Sequence, residues 1–268
     1  MKHIINFSGG ICSFWAAHRV IAKHGPENVT LLFADTLMED WDLYRFLEDA
    51  GAKLGVPVTR CAEGRSVWEV FDAESMMGNS RTPLCSRILK REVLDQWRLE
   101  NCIPSETVVH IGIDWTETHR VEPTRRALEG WQVEFPMMEY PLWDKCQMVD
   151  ELSKLGVKPP RLYGLGFPHN NCGGFCVKAG HAHFAHLLKT MPERFAFHEG
   201  KEQEFRARVG KDVSILNDRR GDGKKKTLTL QTLRERIQAG EAFDRHDWGG
   251  CGCSVDSEQL TLFPVVAL

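Results

Sequence analysis

Ile4-Ile5-Asn6-Phe7-Ser8-Gly9-Gly10-Ile11-Cys12-Ser13-Phe14-Trp15-Ala16-Ala17 is the stretch around which the rest of the chain is read. It opens as an apolar run suited to a buried strand, passes two glycines, and continues into a segment with Ala16, Ala17, Val20 and Ile21 that suits a helix. Strand, glycine bend and helix together aim backbone N–H groups and the positive end of a helix dipole at an anion. Glycine lets the backbone take positive φ and approach a ligand closely. Ser8 and Ser13 flank the bend as hydroxyl donors. Two readings stay open on these residues alone: an ordinary strand-to-helix turn, and a phosphate cradle. No G-x-x-x-x-G-K-[ST] occurs in the chain, so a Walker loop is excluded. The bend also lacks the G-x-G-x-x-G spacing of dinucleotide sites.

At 268 residues, 42% hydrophobic and 26% charged, the chain has the apolar material for a full core. A net charge of −3 excludes a nucleic-acid coat but not a local basic patch. No apolar run reaches the ~18–20 residues that span a bilayer. With the first strand starting by residue 4, no signal peptide and no membrane partner are expected, and the expected location is cytoplasmic. In such a reducing compartment nine cysteines suit core positions or a metal better than disulfides.

Val29–Ala34 reads as a second buried strand ending in Asp35-Thr36, at the carboxyl edge where open parallel sheets collect ligands. Residues 41–54 carry a helical apolar stripe, and residues 56–60 a short strand whose Pro57 favours its start or a sheet edge. Ser66 and Glu69 form a capping box for a helix from Val67. Arg81, Arg87, Lys90 and Arg91 gather positive charge near a helix start, against the dipole preference; that suits either a bound anion or a solvated face. Residues 107–114 read as a fourth strand, with Gly112 at its end.

Several of these segments resemble one superfamily. Ser8-Gly9-Gly10-x-x-Ser13 after a strand resembles the SGGxxS loop of the ATP pyrophosphatases, the PP-loop superfamily. It includes phosphoadenosine-phosphosulfate (PAPS) reductases, enzymes that thiolate tRNA and DNA, and amide-forming synthetases. Cys85-Ser86-Arg87-x-x-Lys90, His110-x-Gly112 followed by Glu117-x-x-Arg120, and Pro160-x-Leu162-Tyr163-x-x-Gly166-Phe167 resemble elements of its PAPS-reductase-like branch. The chain departs from the pattern at Ile11 and Cys12, where relatives often carry Lys-Asp. It also lacks the adjacent cysteine pair and the E-C-G-x-H nucleophile of the assimilatory reductases.

The resemblance implies an α/β fold: a parallel-sheet, PP-loop (HUP-like) nucleotide-binding domain over residues 1–145, with a mainly helical, cysteine-rich region over 146–268. It implies ATP and Mg2+ as cofactors. The nucleotide is expected on Ser8, Gly9, Gly10, Ile11, Cys12 and Ser13, on Ala34, Asp35 and Thr36 beside the adenosine, and on Arg87, Lys90, Gly112 and Arg120 toward the phosphates. Ser8, Ser13 and Arg120 are the expected catalytic residues, with Glu117 orienting Arg120.

The second half holds two glycine-rich cysteine turns, Cys172-Gly173-Gly174-Phe175-Cys176 and Cys251-Gly252-Cys253. Four thiolates from two turns match zinc or an iron–sulfur (4Fe-4S) cluster, with Cys85 as a substitute for one member. Inert, reduced cysteines are the alternative. His169, His181, His183 and His186 cluster as well, and they suit a solvated or packed helix better than a metal. Residues 217–226 form a basic, glycine-broken loop, and the apolar end, residues 260–268, leaves docking on the sheet or a homo-oligomer open. The expected activity is ATP-dependent adenylylation with release of pyrophosphate, which activates an acceptor for sulfur transfer. Nucleic acid and a sulfur-donor protein are the expected further partners. The alternatives are a sulfonucleotide reductase and a non-catalytic nucleotide-binding subunit with a structural metal.

Overall fold

The computed structural model describes residues 1–218, 226–241 and 244–249. Its centre is a five-stranded, wholly parallel sheet in the order β3-β2-β1-β4-β5. The strands are β1 (Lys2–Asn6), β2 (Val29–Asp35), β3 (Val58–Ala62), β4 (Thr107–Ile111) and β5 (Gln132–Glu134). Ile4, Ile5, Leu31, Leu32, Phe33 and Val109 are all buried, as near-continuous apolar runs in a sheet covered on both faces should be. The strand carrying Pro57 at its entry is an edge strand, where a missing N–H costs no ladder bond.

Helix α1 (Ile11–His24) leads from β1 to β2, and α2 (Trp41–Leu54) from β2 to β3. Phe14, Trp15, Phe46 and Leu47 pack with Ile5, Phe7 and Phe33 in one core. Each such side chain contributes about 1.5–3 kcal/mol by leaving water. Helix α3 (Val67–Ala73) begins at the Ser66–Glu69 capping box. A π-helical segment, Ser86–Glu92, then runs straight into α4 (Val93–Asn101). Helix α5 (Val121–Ala127) joins β4 to β5.

The later helices serve both cores. Met148 and Leu152 of α6 (Lys145–Lys154), with Tyr163 of α7 (Arg161–Gly164), join the α1–α2 core. Helices α8 (His181–Thr190), α9 (Pro192–Val209) and α10 (Leu230–Gln238) form a second core, with Phe184, Phe195 and Phe205 set against Trp68, Phe71 and Leu89. A short antiparallel pair, β6 (Leu216–Asp218) and β7 (Lys226–Leu228), lies between α9 and α10. No helix among the described residues is long and apolar enough to cross a membrane.

Strand order reverses between β1 and β4, so the crevice beyond Asn6 and Ile111, which pair in register, is the topological switch point. The first bend, the end of β2 and Gly112 all leave the sheet on this edge.

Candidate functional site

The bend is built from backbone demands. Gly9 has φ +72°, and a Cβ there would stand 3.1 Å from the Leu43 side chain. The N-cap of α1 is Gly10, which has no side chain to cap it, so the first turn aims its amides toward the switch point, that of Ile11 being taken by the Tyr163 hydroxyl. Ser8 is exposed, while Gly10 and Cys12 are half-buried. Ser13 is buried and donates its hydroxyl to Gly10 O at 2.8 Å, and Ser8 Oγ donates to Ser13 Oγ at 3.3 Å. Ser13 thus braces the bend from inside, and Ser8 lies at its surface.

Three contacts tie the bend to distant parts of the chain. The Tyr163 hydroxyl accepts from the Ile11 amide at 3.1 Å. Asn170 Nδ2 donates to Gly9 O at 3.0 Å. Cys12 Sγ donates to Asp114 Oδ2 at 3.4 Å. Gly112 fits because it has no side chain: a Cβ would come within 2.8 Å of Ser13 N and Cα. At this position glycine packs β4 against the start of α1.

At the end of β2 the polar residues divide their work. Ala34 is buried. Asp35 accepts from Leu37 N at 2.8 Å and from the Tyr44 hydroxyl at 3.1 Å, and it pairs with Arg60 at 2.5 Å. Its carboxylate is engaged within the fold. Thr36 donates to Glu39 Oε1 at 3.0 Å. Glu39 also pairs with Lys90 at 3.6 Å and accepts from the Cys172 amide. Asp40 caps α2 and holds Arg161 in a bidentate pair, both contacts at 2.7 Å. Arg194 donates to Met38 O and, at 3.3 Å, to Cys172 O. The loop 36–40 is therefore the seat on which the cysteine turn docks.

That turn is bent sharply. Cys172, Gly173 and Gly174 have φ of +50°, +57° and +83°. A non-glycine residue at such a φ costs roughly 1–2 kcal/mol, so Cys172 is held there by its surroundings. His183 donates Nε2–H to Gly174 O at 2.7 Å, and His186 does the same to Leu165 O at 2.7 Å. These histidines brace backbone carbonyls. His169 is buried beside the turn, and its Nε2 has no hydrogen-bond partner.

Thr36, Cys85, Lys90, Arg120, Cys172 and Cys176 line one cavity of about 200 Å³. Burial, reinforced by Cys176, pushes the Cys85 thiol up to about 11. Burial likewise raises Cys172. Burial alone would lower Lys90, but Cys172, Glu39 and Cys176 outweigh it and raise its pKa, so it stands as a fixed cation among three thiols. Arg120 pairs with Glu117 at 2.8 Å and is part-exposed. Arg87 lies elsewhere, exposed and paired with Glu92 at 2.9 Å.

Among the described residues no group of three or more His, Cys, Asp or Glu side chains is arranged to hold a metal ion. Cys251 and Cys253 lie outside the described residues. The donor types are nevertheless chemically apt, since three thiols line one cavity, two of them on the tight glycine turn. Gly249 forms an antiparallel bridge with Ala179, three residues after Cys176. Gly180 N donates to Trp248 O at 3.1 Å.

Glu39, Asp40, Tyr163 and Asn170 carry the site's long-range contacts, and sequence reasoning assigned none of them a role there. Asp40, in a capping position before the apolar stripe of α2, and Tyr163, inside the Pro160–Phe167 element, offered local signals.

No protein-family profile matches the chain. No curated protein matches it either. Among solved structures it is similar to the phosphoadenylyl-sulfate (PAPS) reductase of Candida auris in its phosphate complex. The identity is 17%, over 62% of this chain and 77% of that one, with a TM-score of 0.42.

Proposed function

We propose that this chain is an ATP-dependent adenylylating enzyme that activates an acceptor for sulfur transfer. The observation that carries the reading is convergence on one sheet edge. The Ser8–Gly10 bend and the start of α1 leave the sheet at the same edge as Thr36, which lines one cavity with Lys90, Arg120 and three thiols.

In the reaction, an acceptor carbonyl oxygen attacks the α-phosphorus of ATP. A new P–O bond forms, the α–β anhydride bond breaks, and pyrophosphate leaves; Mg2+ carried with the nucleotide would supply further counter-charge. The amides of the bend, the Ser8 hydroxyl and the Arg120 guanidinium stabilise the charge on the leaving group. Glu117 fixes the direction of Arg120. A hydrosulfide equivalent from a sulfur-donor protein then adds to the activated carbon, and AMP leaves with the former carbonyl oxygen. A nucleic-acid base is the proposed acceptor.

Cys85, Cys172 and Cys176, with one of Cys251 and Cys253, are the residues that would hold zinc or a 4Fe-4S cluster. Such a centre would supply a thiophilic Lewis acid next to the acceptor and close the cysteine turn.

Pyrophosphate release from ATP, assayed with single-stranded RNA and DNA acceptors and without them, tests the reading. Release that depends on an acceptor and falls at least tenfold in Arg120→Gln is the expected result. A chain that binds no ATP and releases no pyrophosphate with any acceptor would overturn it.

A further inference from the structure

A second chamber opens between α4 and α5, on the far side of Arg120 from the thiols. Its volume is about 540 Å³, and its floor is Asn6 and Ile111, the last residues of β1 and β4. Arg91, Arg98, His119, Arg120 and Lys178 line it, and Asp95 is the one carboxylate in its lining. The cations come from three separate pieces of chain: α4 with its π-helical lead-in, the segment 115–120, and the stretch after the cysteine turn. Arg120 and Lys178 also line the thiol cavity, so the two spaces share a wall.

Arg98 is the unusual member. It is 1% exposed, the most buried residue of α4, on a helix whose Leu99 stays in water. Its guanidinium donates to Asn6 Oδ1 at 3.1 Å and to Asp95, while its Nε has no partner. Asp95 itself is half-exposed. Beyond these, Arg98 has the Trp131 ring at 5.9 Å, and a buried cation held by one half-exposed carboxylate, a neutral amide and a ring is short of counter-charge. Arg120 is paired with Glu117 and Arg98 with Asp95, while Arg91 and Lys178 bring two further permanent cations to a lining whose one carboxylate is Asp95. Arginine forks suit the oxygens of a tetrahedral phosphate.

We propose that this chamber binds a phosphate group of the acceptor substrate, separately from the phosphates of ATP. The word acceptor rests on the adenylylation reading above; the phosphate site does not. A phosphate seated here holds its substrate against Arg120, with the reacting group turned toward the cleft and the thiols. Both a diester in a nucleic-acid strand and the monoester of a free nucleotide present this chemistry.

The test measures binding of radiolabelled inorganic phosphate to the full chain with a saturating, non-hydrolysable ATP analogue present. Phosphate should still bind, and Arg91→Gln and Lys178→Gln should each weaken it by about tenfold. Arg98→Gln should abolish it, but that variant removes a buried group and can misfold, so the two less buried positions carry the result. Phosphate displaced by the analogue, no phosphate binding, or unchanged binding in Arg91→Gln and Lys178→Gln would each overturn the assignment. If the analogue fails to bind while phosphate binds and the variants weaken it, the ATP reading falls and the phosphate site stands. Competition then separates the sources. Displacement of phosphate by single-stranded RNA assigns a diester, and displacement only by a 5′-mononucleotide assigns a monoester. Displacement by neither removes the acceptor role.

Discussion

The Tyr163 hydroxyl accepts a hydrogen bond from the Ile11 amide across 152 positions of sequence. It thereby uses one of the N–H groups at the open start of α1 and pins the first bend to α7. Tyr163→Phe keeps the ring in the core and leaves that amide without its acceptor. The variant should lose about 1–2 kcal/mol of stability, read as a lower urea midpoint with an unchanged slope.

Gly112 allows a sharper comparison. A methyl there meets the backbone of Cys12 and Ser13 at 2.8–2.9 Å, and backbone cannot swing aside. Gly112→Ala should cost at least about 1–3 kcal/mol and weaken ATP-analogue binding by disturbing the start of α1. Gly200, inside α9, has nothing within 4 Å of where its Cβ would stand. Gly200→Ala should raise stability by about 0.5–1 kcal/mol. Thermal denaturation of the pair checks both signs.

Glu39 joins the end of β2 to the cysteine turn, accepting from Thr36 and the Cys172 amide and pairing with Lys90. Replacing it with Ala strands a cation and a backbone donor in a buried setting. The expected loss is about 3–5 kcal/mol. Because the turn loses its seat, Cys172 should also react faster with a thiol reagent in native buffer, and mass spectrometry of the labelled peptide would show this directly.

Two buried groups give the stability opposite slopes with pH. His110 is buried in β4, with His3 Nδ1 at 2.9 Å from its Nε2. Burial, then the neighbouring His3, lowers it from 6.5 to about 3. Its contribution is whole above pH 6.5 and is lost as the pH falls toward 3, because the unfolded chain takes up a proton that the native one refuses. Glu202 is buried, and its two oxygens accept from Ile215 N and Leu230 N. Burial raises it from 4.5 to about 7, against the pull of those two bonds. Its favourable contribution is whole below pH 4.5 and is lost as the pH rises through 7. Urea midpoints from pH 4 to 8 should show a wild-type minus His110→Gln difference that grows with pH. The wild-type minus Glu202→Gln difference should shrink. Each should amount to a few kcal/mol across its window.

The proposed thiolate centre has a direct check in metal content. Protein purified without oxygen should carry either iron with visible absorbance or colourless zinc, and Cys172→Ser should lose most of it. Elemental analysis decides the matter, and a metal-free wild-type chain would end the proposal of a thiolate centre.

Much of this architecture is legible in local sequence. The apolar runs of β1, β2 and β4, the Ser66–Glu69 capping box and the stripe of α2 each declare themselves within a few residues, because period and capping are short-range physics. The glycine bend is legible for the same reason. What escaped were the contacts that make it part of a site. Nothing near Tyr163 or Asn170 announces a partner in residues 9–11, and nothing near Glu39 announces residue 172. The π-helical segment that carries Lys90 also has no sequence period of its own. Sequence makes Cys85 part of the 85–90 element and a substitute ligand, and the fold sets it in the lining of one cavity with Cys172 and Cys176.

Position 112 has a practical meaning for anyone redesigning this protein. The hydrogen on its α-carbon is all that fits between the fourth strand and the opening turn of the first helix. A library that varies residues 8–13 therefore inherits a fixed ceiling above it, and retuning the first bend means leaving that one glycine untouched.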